Sequence, residues 1–225
     1  MFWRKTTIIC FAIFAFTASF AQEKKVVRDF GIWVSVALQK KVHKNVRLDF
    51  DQQVRTFENS SRIDDYLADF GVRYTINKHF SLGANLRYTH DLQRFDKPAN
   101  NIRYNLDLGF KIDIIKKLRF YYRLRYQQEF ENFYRPTTDF NTGIRNRIKF
   151  RYKLPKKNRL YLSAELFRRF EKFRDGYFNN IRLCLGDEMD IPTGEVNVAF
   201  CYEIEPEASR PASFYFLKLA YVWKP

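Results

Sequence analysis

Two segments concentrate the side chains most able to do chemistry. RFYYRLRYQQE sets Arg119, Arg123, Arg125 and Glu129 on one parity, and RNRIKFRYKL sets Arg145, Arg147, Lys149, Arg151 and Lys153 on one parity. In extended chain every second residue shares a face, so neighbouring strands would join eight cations and one carboxylate into a basic wall. Rings of Arg and Lys favour anions and phosphates in pores, so one reading is a lumen that takes a small anionic solute, the other being a narrow or plugged interior. The competing expectation is neutralisation by acids from elsewhere, such as Asp49, Asp51 and Glu203.

Other reactive residues are few. His43 and His79 fall in short turns. His90 ends a strand beside the polar loop that holds Ser60 and Ser61, which would allow a Ser–His pairing. No nucleophile motif surrounds them, so no catalytic residue is assigned. Cys184 and Cys201 lie on the polar parity of successive strands joined by GDEMDIPTG. The centre of that hairpin sets them almost opposite, as a cross-strand disulfide or a close free pair. Asp187, Glu188 and Asp190 in the same turn lack the spacing of a calcium loop and read as a solvated acidic turn. No metal or cofactor is expected.

The elements that must carry these residues are strands. Apolar residues recur at every second position in segments beginning near Phe30, Val46, Tyr66, Phe80, Ile102, Leu118, Phe140, Leu160, Ile181, Val196 and Phe214, and no segment has a helical period. Short turns (41–45, 77–79, 113–117, 155–158) alternate with longer polar connections (58–65, 93–101, 131–139, 171–180). Several segments run 11 to 13 residues, longer than typical soluble strands. These features predict an antiparallel up-and-down transmembrane β-barrel of about 12 strands, with 10 as the alternative. Eleven segments are visible; an even count would need a short strand near Val26–Asp29 or the loss of a shortened ninth strand.

Alternation alone does not say which face is wet. A soluble lipid-binding barrel would place the apolar face in its lumen. Against it, Leu118, Phe120, Tyr122, Leu124 and Tyr126 from one strand are too bulky for a small lumen. The other face mixes charges with Gly71, Ser81, Gly83, Gly109, Gly143 and Ser163. The chain also ends on alternating Tyr215, Leu217, Leu219, Tyr221 and Trp223, a pattern resembling the signal read by barrel-assembly machinery. Centring each connection aligns a belt of mostly alternating charge inside the barrel, Arg55–Asp69–Arg87–Asp107–Arg123–Lys149–Glu165. Opposite charges facing across strands stabilise a sheet.

The N-terminus reads as a secretory leader: MFWRK is basic, TTIICFAIFAFT is apolar, and Ser19 and Ala21 fit a cleavage site. The expected division is a signal peptide over 1–21 and one barrel domain over 22–225. Cys10 lies within the apolar run, so it is not a lipoprotein cysteine. Losing Arg4 and Lys5 lowers the net charge from +15 to +13. Export argues against nucleic acid as the partner of so basic and aromatic a chain, and no nucleic-acid motif is present.

DFGIWVSVALQKKVHKNVRLDFDQQVRTFEN, DYLADFGVRYTINKHFSLGANLRY and GIRNRIKFRYKL resemble an uncharacterised family of Gram-negative outer-membrane barrels known only as a domain of unknown function. The resemblance implies an outer-membrane barrel surrounded by lipid, and implies no activity, ligand or catalytic residue. The expected function is a structural barrel or narrow pore with a basic, salt-bridged, anion-preferring lumen. The alternatives are a lipid-modifying enzyme at His90 and the soluble lipid-binding barrel. Oligomeric state is left open.

Overall fold

The computed structural model describes residues 27–92, 98–130, 140–155, 157–171, 174–205 and 212–225. The expected leader, the 131–139 connection and part of the 93–101 connection lie outside these residues. Eleven strands form the fold: β1 (Val27–His43), β2 (Val46–Phe57), β3 (Arg62–Thr75), β4 (Phe80–Asp91), β5 (Ala99–Ile115), β6 (Leu118–Phe130), β7 (Phe140–Lys153), β8 (Asn158–Glu171), β9 (Arg174–Ile191), β10 (Gly194–Ile204) and β11 (Ala212–Trp223). Each pairs antiparallel with the next, and β1 pairs with β11 to close the barrel.

The eleven alternating segments are the eleven strands, and no twelfth occurs among the described residues. An odd number of up-and-down strands leaves the first and last pointing the same way. The closing pair is therefore parallel, in register from Val27↔Ala212 to Leu38↔Trp223. Parity did not require an extra strand; it required a parallel seam.

Several connections are tighter than their composition implies. Glu58, Asn59 and Ser60 turn through left-handed backbone, so β3 starts at Arg62 and the connection holds only 58–61. The Asp29 carboxylate fastens this turn to β1, accepting the backbone N–H of Glu58 at 3.0 Å and of Asn59 at 2.8 Å. The 171–180 segment is mostly strand, since β8 reaches Glu171 and β9 begins at Arg174. The ninth strand is not shortened: at 18 residues it is the longest. Asp187, Glu188 and Asp190 consequently belong to β9, and the turn is confined to 192–193. They are not a solvated turn, because arginines and a lysine of β7 and β8 take up Glu188 and Asp190.

The barrel is apolar outside and ionic inside. Ile148, Phe150 and Tyr152 are exposed, as are Leu106, Leu162 and Leu185, whereas Asp107, Arg125, Arg145, Glu165 and Glu188 are buried. This excludes the apolar-lumen alternative. The interior also holds an apolar seam of Trp33, Tyr161, Ala199, Cys201 and Phe216. Cys184 and Cys201 are directly opposite on β9 and β10 and form a disulfide. Gly186 makes room beside it: a Cβ there would lie 2.6 Å from that of Ala199 and 2.7 Å from the Tyr161 hydroxyl oxygen.

Candidate functional site

The candidate site is the lumen. A cavity of about 520 Å³ runs between Asn141, Arg168 and Asn179 toward one end and Gln39, Arg47 and Glu195 toward the other. Among the described residues, thirteen Arg and Lys and six carboxylates line it. A second cavity of about 330 Å³ continues toward the short-turn end, sharing Arg47, Arg73, Arg123 and Arg147 with the first.

Strand register decides which charges meet. The predicted pairing holds between β3 and β4, where Asp69 faces Arg87 and the two form an ion pair of 2.5 Å. Elsewhere the ladder is offset. Arg55 faces Asp65 and not Asp69. Arg87 faces Arg103 and not Asp107. Asp107 faces Arg125 and not Arg123, Arg123 faces Arg147 and not Lys149, and Glu165 faces Arg147 and not Lys149. Each offset moves a partner by two or four residues. An even slip leaves every side chain on its expected face, so the charges are inside but their partners change. The cause is turn geometry: the ladder zips to tight turns that the centre of a polar stretch does not mark.

The observed registers set five arginine pairs directly opposite one another: Arg47↔Arg73, Arg87↔Arg103, Arg119↔Arg151, Arg123↔Arg147 and Arg125↔Arg145. Like charges so placed repel, and carboxylates from adjacent strands offset the cost. Asp107 accepts two hydrogen bonds from Arg125, at 2.6 and 2.7 Å. Glu165 joins Arg123 at 2.7 Å and Arg145 at 3.1 Å. Glu188 takes Lys149 and Arg151, Glu129 takes Arg103, and Asp113 takes Arg119. Six members of the expected basic wall are thus paired. The neutralising acids come from β5, β8 and β9, while Asp49 and Glu203 serve Arg47 and Arg182 instead. Arg147 stays without a carboxylate within 4 Å among the described residues, and Lys153 sits exposed at the end of β7.

Sequence reasoning missed the aromatic part of the lumen. Trp33 stacks on Phe216 with ring centroids 3.8 Å apart. Arg55 lies over the Trp33 ring at 4.0 Å and Arg182 at 4.9 Å. Arg145 covers Phe167 at 4.1 Å, and the Lys149 ammonium sits 3.9 Å from the centre of the Tyr161 ring. Such contacts let a guanidinium shed water against a π face. The signal was present: Trp33, Tyr161, Phe167 and Phe216 all fall on the polar parity of their strands.

The other candidates are not brought together as chemistry would need. The His90 ring bonds Asn100 at 2.8 Å, and the Ser61 hydroxyl donates to the Glu58 carbonyl at 2.6 Å; no Ser–His hydrogen bond occurs among the described residues. Asp64, Asp65 and Asp91 bring carboxylate oxygens within 4.8 Å of one another, and Arg55 engages Asp65.

No curated protein matches the chain. A family model described as protein of unknown function (DUF2490) matches residues 30–210. The same stretch holds the basic wall, the disulfide and Trp33, so the chain, with the eleven-stranded barrel and charged lumen just described, belongs to the DUF2490 family.

Proposed function

We propose that the protein is an outer-membrane β-barrel enclosing a narrow, basic passage that prefers small anions. The observation that carries this reading is the inversion of polarity, with a closed sheet that presents Leu, Ile, Val and aromatic residues outward around an ionic interior. Closure suits a lipid environment because an open edge there would leave backbone groups unpaired. The outer face is also banded. Phe80, Phe110, Phe120 and Phe150 form a row across β4 to β7 with centroids 5.2 to 6.5 Å apart. Toward the other end stand Tyr66, Tyr88, Tyr104 and Phe130. On β4 the two bands are eight residues apart, about 26 Å along the strand and about 20 Å along the axis of a tilted barrel. That is close to the apolar height such barrels present between aromatic girdles.

The lumen supports an anion-preferring passage. Cations outnumber carboxylates about two to one along the principal cavity, and a volume of about 520 Å³ spread along the barrel admits only small solutes. The Cys184–Cys201 disulfide fits an oxidising compartment. Reversal potentials of the purified full-length protein in planar bilayers under a potassium chloride gradient test the reading. Anion preference supports it, whereas absent conductance or cation preference overturns it. Heat-modifiable gel mobility and detergent dependence test the membrane barrel separately.

A further inference from the structure

Among the described residues, three cations of the principal cavity have neither a counter-ion within 4 Å nor any other side-chain partner. Arg73 on β3, Arg147 on β7 and Lys218 on β11 all line the principal cavity. None has a carboxylate oxygen within 4 Å, a hydrogen bond or a ring contact from its side chain among the described residues. Their strands are four, four and three apart around the barrel, so the three side chains approach the lumen from three sides. Arg147 stands within electrostatic reach of both Arg73 and Lys218.

The carboxylates nearby are already committed. Of the six that line the cavity, Asp49, Asp69, Glu129, Glu165 and Glu195 each pair with a cation other than these three. Asp51 alone lies near Lys218, and it makes no ion pair within 4 Å among the described residues. Asp107, in the second cavity, is held by Arg125. Three such cations stand against one free carboxylate, and Glu165 is shared between Arg123 and Arg145, so the cavity keeps an excess of positive charge to be matched. A further donor waits beside them: Arg123 faces Arg147 across the ladder, and its buried Nε has no hydrogen-bond partner. Leaving half-buried charges of this kind unmatched is costly.

We propose that Arg73, Arg147 and Lys218 form a binding site for a small tetrahedral oxyanion carrying two charges, of the phosphate or sulfate class. Guanidinium forks donate two parallel hydrogen bonds to such an oxyanion, and the ammonium adds a point charge. Chloride offers no fork geometry and only one charge, so the site discriminates against it. This deepens the reading of the lumen as anion-preferring and rests on it for physiological meaning, though binding is measurable without conductance.

The test titrates the folded full-length barrel in detergent with inorganic phosphate, by calorimetry and phosphorus NMR line broadening. Wild-type protein is compared with Arg73→Gln, Arg147→Gln and Lys218→Gln, and with Lys116→Gln in the 116–117 turn as control. Heat-modifiable mobility verifies that each variant is folded. The expected result is saturable one-to-one binding, weakened about ten- to hundredfold by each lumen substitution and unchanged by Lys116→Gln. No saturable binding in the wild type overturns the proposal, as does equal affinity in Arg73→Gln and Arg147→Gln. The bilayer experiment separates the two claims. Anion preference without phosphate binding removes the site and leaves the passage, whereas phosphate binding without conductance keeps the site and removes the passage.

Discussion

Glu165 offers the most direct test of how the lumen is held together. Its side chain is buried, yet it accepts hydrogen bonds from Arg123 at 2.7 Å and Arg145 at 3.2 Å, and Arg182 approaches to 4.0 Å. Glu165→Gln keeps the shape and removes the charge, so no cavity forms. Charge-assisted hydrogen bonds contribute about 1.5–3 kcal/mol each. The Gln amide oxygen can still accept from both arginines, so each bond loses its charge assistance, about 1 kcal/mol, and the guanidinium groups left without a counter-ion bring the total to about 3–5 kcal/mol. Reversible urea unfolding in lipid vesicles, followed by tryptophan fluorescence and gel mobility, measures the loss. Adding Arg145→Met in the same background should recover part of it, because an uncompensated guanidinium is removed. A loss below about 1 kcal/mol would refute the reasoning, since the arginines would then be solvated or served by other acids.

Three further outcomes follow from the geometry. Leu106→Arg, at an exposed site between Tyr104 and Phe110, should destabilise a membrane-inserted barrel by about 2–4 kcal/mol; an unchanged yield and stability in vesicles would contradict lipid contact there. Cys184→Ser with Cys201→Ser opens a bridge of sequence separation 17. This should cost about 3 kcal/mol, equal to the effect of reductant on the wild type and absent when reductant is added to the variant. Trp33→Ala removes a buried ring stacked on Phe216 and covered by two guanidinium groups, for a loss of about 3–5 kcal/mol in the same unfolding assay.

Much of the fold was legible in one dimension because a strand has a period of two. Residues such as Phe150 and Arg151 declare opposite faces wherever their strand pairs, and errors of even register leave that assignment intact. Cys184 and Cys201 were legible as almost opposite because they share the polar parity on either side of one hairpin centre; the two-residue turn that sets them directly opposite came only from the structure. The expected ion-pair belt was less legible. Arg55 meets Asp65 and Arg123 meets Glu165 because left-handed residues 58–60 and long ladders set the offsets. The charge sequence itself is compatible with several neighbouring registers.

The sequence by itself determined that the sheet is all-β, that the strands number close to twelve, and that one face is greasy while the other is charged. Only the tertiary structure decided that an odd strand count closes through a parallel β1–β11 seam. It alone also decided that Asp107, Glu165 and Glu188 neutralise most of the basic wall, and that Arg73, Arg147 and Lys218 have no counter-ion within 4 Å among the described residues. The reason is physical. Alternation is a local property of each strand, whereas counter-charge and closure depend on which residues the barrel's curvature brings together from strands far apart in the chain.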